Sequence, residues 1–327
     1  MSPCWAVKAF CIPVSPVSLE KLCDASDLVI VGRVGRFVKI GEVPVSIGQG
    51  TLLADLRESS VEIVEILKGD ESAGSILVQV PVLLPPGGSV NLDGIPDTGV
   101  KLLFLRKSGD HRYQVTDPHH PSLPGATVST DSGEPLERVA GVECQVISSD
   151  SASLNDKLDG IWSLSRVNSG CIVPALTKIA SQRSPILSLT AEDELVKRDD
   201  TLILSQAIAD ALSERGTDPG YLKENILHSI GVGTRSPDAL PLLDPLIKSS
   251  RAEIRLAAAN ALKNIGTQAC VAPLRSLLSD SSQKVRYIAA IGLADIAGIP
   301  EMHPSIPEFQ KNEGKYISYW NNGIEGR

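Results

Sequence analysis

Aromatic residues are scarce in this chain: 3 Trp, 5 Tyr and 4 Phe in 327 residues, or 4%. A surface that stacks bases or sugar rings needs more of them, so single-stranded nucleic acid is not the expected ligand class. Positive charge is not in excess either. With 31 Lys and Arg against 39 Asp and Glu the net charge is −8, which argues against a basic coat for wrapping DNA or RNA. No run approaches the roughly 18 uninterrupted apolar residues of a membrane span. The best, Ile288 to Pro300, is broken by Asp295 and reads as a buried helix. Phosphate-cradling loops of the Gly-x-x-x-x-Gly-Lys type are missing. Gly231-Val-Gly233 lacks the third glycine of a dinucleotide turn, and Gly87-Gly-Ser89-Val-Asn91 falls one glycine short of a nucleophile elbow. No cofactor and no catalytic group is therefore expected. What is present is a 42% hydrophobic fraction, which excludes a disordered chain and allows two domains, each with its own core.

Six cysteines, at positions 4, 11, 23, 144, 171 and 270, include no Cys-x-x-Cys pair, so zinc-ribbon and thioredoxin readings have no support. Cys23 and Cys144 fall in one predicted domain, and a Cys23–Cys144 bridge is the expected disulfide in an oxidising compartment. Cys171 and Cys270 each open a helical segment and read as small buried hydrophobes. The one cluster with metal-ligand chemistry is Asp117, His119 and His120, with His111 on the preceding strand. Adjacent histidines in an extended segment point to opposite sides, and Pro118, Pro121 and Pro124 suggest a stiff solvent loop. No metal is expected there.

Self-similarity is the strongest signal. Leu243–Gly266 lies over Leu274–Ala297 at a shift of 31 without gaps, matching Leu246 to Leu277, Ile254 to Val285, Arg255 to Arg286, Ala258 to Ala289 and Leu262 to Leu293. The apolar positions of the second helix recur at helical spacing, with small residues at the centre of the stripe. Gly266 closes the first unit as a helix C-terminal residue. A looser copy precedes at a shift of 35, matching Ile208, Ala211, Leu222, Leu227, Ile230 and Gly231. A single helix pair cannot bury its apolar face, so stacking makes the array stable.

These residues, Ser281–Ala297 above all, resemble the HEAT repeats of the short bacterial kind named for phycobilisome lyases. The resemblance covers roughly 170–298 and implies an α-solenoid used mainly to bind other proteins. Arg255 and Arg286, equivalent in successive units, are expected to be structural, each stem packed between helices and each head bonded to a loop carboxylate such as Asp280. Seven basic residues stand against two acidic ones from Lys248 to Arg286. Lys248, Arg251, Lys263, Arg275 and Lys284 are therefore the candidate surface for an acidic protein partner.

The front half changes period. The stretches 27–34, 60–67, 75–82, 100–106 and 111–116 read as short strands, with Ser108-Gly109-Asp110 as a hairpin turn. Five strands in about 110 residues suggest a small barrel. The entry Ala25-Ser-Asp-Leu-Val-Ile-Val-Gly-Arg-Val34, with the Val61–Gly69 and Gly99–Leu105 strands, resembles the bacterial relatives of netrin-like domains. That resemblance implies the OB-type barrel of metalloproteinase inhibitors.

The expected architecture is α+β with two domains: a β-barrel over 17–150, a linker helix over 151–169, a HEAT-like solenoid over 170–300 and a tail over 301–327. The tail's Lys315-Tyr-Ile-Ser-Tyr-Trp320 patch is expected to fold back as a cap on the last repeat. The expected function is non-catalytic protein binding. A lyase-like or metal-assisted enzyme, or a protease inhibitor acting through the barrel, are the alternatives. As written, the start is no export signal and points to the cytoplasm, with export expected if the true start lies upstream.

Overall fold

The computed structural model describes residues 18–47, 50–83, 95, 99–118, 120–127, 133–213 and 220–322. The chain divides into two compact units at Ala175/Leu176.

The first unit opens with a short helix, α1 (Leu19–Ala25), capped by the Ser18 hydroxyl, which accepts from the Lys21 amide. Seven strands follow: β1 (Leu28–Val34), β2 (Val38–Ile47), β3 (Gly50–Lys68), β4 (Ser75–Val82), β5 (Val100–Gly109), β6 (Arg112–Val115) and β7 (Leu123–Pro124). They form one sheet in the order β1-β3-β4-β6-β5-β7, with β2 paired to β3. β1 pairs with β5 as well as with β3, so the hydrogen-bonded path returns to its first strand. Ile30, Val61, Val78, Val80, Leu103 and Leu105 are among the buried side chains of the core. The stop after β3 has a steric cause. Gly69 has φ +82°, and a Cβ there would lie 2.3 Å from the Asp27 carbonyl oxygen.

Two helices complete this unit, α2 (Pro135–Ser148) and α3 (Leu154–Leu164), packed on each other. α3 begins in a reciprocal cap between Ser153 and Asp156. The chain's return after α3 brings Cys171 beside Cys144, and these two form the disulfide, with Cα atoms 6.3 Å apart. The expected Cys23–Cys144 bridge is thus replaced. Cys23 is a free buried thiol on α1, and burial pushes its pKa up. Sequence spacing missed the true pair because the α2–α3 hairpin, not domain membership, sets the distance. Cys4 and Cys11 lie outside the described residues.

The division between units falls inside α4 (Ile172–Ala180). Beyond it run α5 (Pro185–Lys197), α6 (Thr201–Leu212), α7 (Gly220–Gly233), α8 (Asp244–Ile247), α9 (Ala252–Ile265), α10 (Val271–Leu277), α11 (Gln283–Ala297) and α12 (Ile306–Asn322). The second helices stack in sequence, α5 on α7, α7 on α9 and α9 on α11. Their interfaces are small-residue stripes: Ala257, Ala258, Ala261 and Leu262 on α9, then Ala289, Ala290 and Leu293 on α11, all buried. A Cβ at Gly292 would meet Leu274 at 3.0 Å and Lys263 at 3.3 Å. The first helix of the third unit is broken, because Pro241 sits inside a 3-10 turn over Pro237–Leu243 and Pro245 opens the four-residue α8. Among the described residues, no helix is long and apolar enough to cross a membrane.

Candidate partner-binding surface

The repeat register places Arg255 and Arg286 in successive loop-facing positions, and the structure shows what each holds. Arg255 binds Asp280 through two bonds, Nε to Oδ2 at 2.6 Å and Nη2 to Oδ1 at 2.9 Å. Its Nη1 donates to the Ser249 and Ser250 carbonyls, both at 2.9 Å. Arg286 repeats the pattern one unit on. Its Nη1 donates to the Asp280 and Ser281 carbonyls at 2.6 and 3.1 Å, and its Nε meets Glu313 Oε1 at 2.5 Å. Glu313 belongs to α12, so this helix takes the place of a further repeat. It buries Phe309, Tyr316 and Trp320 while doing so. These bonds hold the Asp280 and Glu313 carboxyls below the usual carboxylate range. Both guanidinium groups are thereby committed within the array.

The other basic residues divide. Lys248 is 2.6 Å from Asp244, and Arg251 is 2.6 Å from Glu253, all four being exposed. Lys263 is half-buried on α9, and Arg275 half-buried on α10. Lys284 is exposed in the first turn of α11 and makes no ion pair among the described residues. The net excess of positive charge is therefore smaller than the count between Lys248 and Arg286 implies; Lys263 and Lys284 make no ion pair among the described residues, and of the two Lys284 is the exposed one.

Beside Lys284 lies a cleft of about 270 Å³ between α9, α11 and the start of α12. Leu256, Tyr287, Ile288, Ile306 and Phe309 supply its apolar lining, and Asn260 and Gln310 add polar groups. By the shifts of 35 and 31, Tyr221, Leu256 and Tyr287 are equivalent residues of α7, α9 and α11. Tyr221 is 60% exposed, whereas Leu256 and Tyr287 at the same position are half-buried and line the cleft. Sequence reading missed this line because it followed the buried stripe, one position further on. It also missed α12 as a wall. The findable signal was Glu313, which follows Arg286 by 27 residues much as Asp280 follows Arg255 by 25.

In the first unit, His120 Nδ1 is 2.9 Å from Asp117 Oδ2, while His119 lies outside the described residues. His111 is drawn elsewhere, with Nδ1 2.8 Å from Glu71 Oε1. The Tyr113 hydroxyl donates to the second Glu71 oxygen at 2.8 Å, and the Ala73 amide to the first at 2.9 Å. Together these bonds lower the Glu71 pKa to about 2, the Ala73 amide contributing most. The arrangement clasps the β3–β4 turn to the β5–β6 hairpin. Among the described residues, no three His, Cys, Asp or Glu side chains are grouped to hold a metal ion.

Residues 205–294 match the family model of HEAT repeats. No curated protein sequence matches the chain. Among solved structures, an engineered protein is 15% identical with a TM-score of 0.36, over 55% of this chain and 96% of its own. A designed armadillo repeat protein is 18% identical with a TM-score of 0.34, over 54% of this chain and 88% of its own. The family match over 205–294 and the stacking of α5, α7, α9 and α11 make the carboxy-terminal part a helical repeat region, and it follows an amino-terminal sheet region.

Proposed function

We propose that this chain is a non-catalytic protein-binding scaffold whose docking surface is the accessible side of the second helices, α7, α9 and α11. The observation that carries this reading is the recurrence of Tyr221, Leu256 and Tyr287 at one repeat position, ending in an apolar cleft beside Lys284. A stacked array whose ladder arginines are already satisfied has little reason to leave large apolar groups in contact with water unless a partner covers them. The match to HEAT repeats supports the same reading. The lysine at the cleft favours a partner with an acidic surface.

For the first unit we infer an OB-type closed barrel, supported by the path β1-β3-β4-β6-β5 and its return to β1. Lysine-directed cross-linking of the full chain to a partner recovered from its source should join that partner through Lys248, Lys263 or Lys284. Cross-links confined to Lys39, Lys101 and Lys107 would move the binding site to the sheet unit and overturn the proposal.

A further inference from the structure

The cleft between α9, α11 and α12 is built for one kind of occupant, and its construction is legible group by group. Its aromatic wall is fixed before anything binds. The Tyr287 hydroxyl donates to the Pro304 carbonyl at 3.2 Å, and the Tyr287 ring meets Phe309 edge-on with centroids 5.3 Å apart. Phe309 itself is buried, so this wall cannot swing away. Ile306, in the first turn of α12, also lines the cleft and is 56% exposed. An incoming apolar side chain therefore finds a preorganised floor and loses little to reorganisation of the protein.

Charge narrows the choice. Lys284 is the charged residue in the lining, and the carboxylates on α9, on α12 and in the turn before α11 each have a partner of their own, as does Asp295 on α11, 3.5 Å from His303. Glu313 is shared between Arg286 and the Gln283 amide, the latter at 3.0 Å. Glu253 is held by Arg251, and Asp280 by Arg255. Glu308 accepts from the Tyr316 hydroxyl at 2.6 Å. The ammonium group is thus left to a carboxylate from outside. Gln310 is exposed at the rim with no hydrogen bond among the described residues, and the Asn260 amide nitrogen donates to Leu256, leaving its oxygen as an acceptor. These two amides suit the main chain of a bound segment.

We propose that this cleft binds a short peptide segment of a partner protein, one large apolar side chain filling it and an adjacent Asp or Glu pairing with Lys284. The inference rests on the scaffold reading and names the partner's chemistry at one end of that surface. A segment with a basic residue in the same place would put two like charges together over a poorly solvated floor, so the site selects as well as attracts.

Random dodecapeptides displayed on phage, selected on the full chain with its disulfide intact, provide the test. The selected peptides should carry Asp or Glu within four residues of Leu, Ile, Met, Phe or Trp. By fluorescence polarisation their affinity should fall at least tenfold on Lys284→Glu and on Ile306→Ser, and less than twofold on Arg251→Glu. Both tested positions are exposed, and a circular dichroism spectrum matching the parent establishes that each variant is folded. Selected peptides without an acidic residue, or peptides indifferent to both cleft substitutions, would overturn the proposal. So would a failure to select peptides accompanied by self-association that Ile306→Ser abolishes, since the occupant would then be a second copy. Peptides sensitive to Arg251→Glu alone would overturn the cleft while leaving the scaffold reading intact.

Discussion

The two ends of the solenoid solve the same packing problem with different chemistry. From α9 to α12 the helices are joined by groups that recur in register, an arginine from each unit reaching the carboxylate of the next. From α5 to α7 they are joined by buried acidic groups that do not recur. Glu192, Asp193 and Glu194 lie side by side within α5, all buried. Gln206 on α6 donates to Glu192 at 2.7 Å, Ser229 on α7 donates to Asp193 at 2.6 Å, and Lys197 reaches both Asp193 and Glu194 at 2.7 Å. Burial and the facing Asp210 carboxyl push the Glu192 pKa well above its ordinary 4.5. A ladder can be extended by one more unit, as α12 does. A bespoke acidic cluster closes off its own neighbourhood and gives no template for another.

The comparison can be broken most sharply at Asp280. The pair is almost wholly buried, with side-chain exposures of 12% for Arg255 and 5% for Asp280. Asp280→Ala removes the carboxylate from that guanidinium and leaves it only neutral acceptors, so chemical denaturation should show a loss of about 3 kcal/mol. The ladder's last rung is more exposed, at 21% and 20%. Glu313→Ala should accordingly cost less, about 1 kcal/mol, and should loosen α12 first, seen as faster amide exchange over 306–322. At the other end the sign reverses. Glu192 holds a proton in the folded state that it releases when unfolded at neutral pH, so its contribution to stability falls as pH rises above about 4.5. Glu192→Gln keeps the shape without the ionisation, and should stabilise the chain by on the order of 1 kcal/mol at pH 8 while doing nothing at pH 4. Denaturation midpoints that fall with pH equally in both proteins would contradict this. Smallest of all, Arg251→Glu touches only an exposed pair and should shift stability by no more than about 0.5 kcal/mol.

The ladder end was legible in sequence because its constraints are periodic. Small residues at Ala258, Ala289 and Gly292, and arginines at 255 and 286, answer to one geometry repeated at a fixed interval. The buried carboxylates of α5, Glu192 to Glu194, carry no period. Glu143 on α2 is a similar case. It is fully buried, and burial pushes its pKa up to about 8, yet nothing in the neighbouring residues announces it. In the sheet unit the strands from Leu28 and Ser75 were readable from their β-branched runs. The ribbon of β2 and the first half of β3 was not, because a projecting pair with Val38, Ile40, Leu52 and Leu53 exposed has no clean alternation. The disulfide depended on a helical hairpin whose turn no local pattern specifies.

The most direct measurement is hydrogen exchange on the full chain with and without a selected acidic-apolar peptide. Added protection should centre on 256–260, 283–288 and 306–310, where α9, α11 and α12 enclose the cleft. Protection confined to the strands between Leu28 and Val115, with these segments unchanged, would contradict the assignment of recognition to the solenoid.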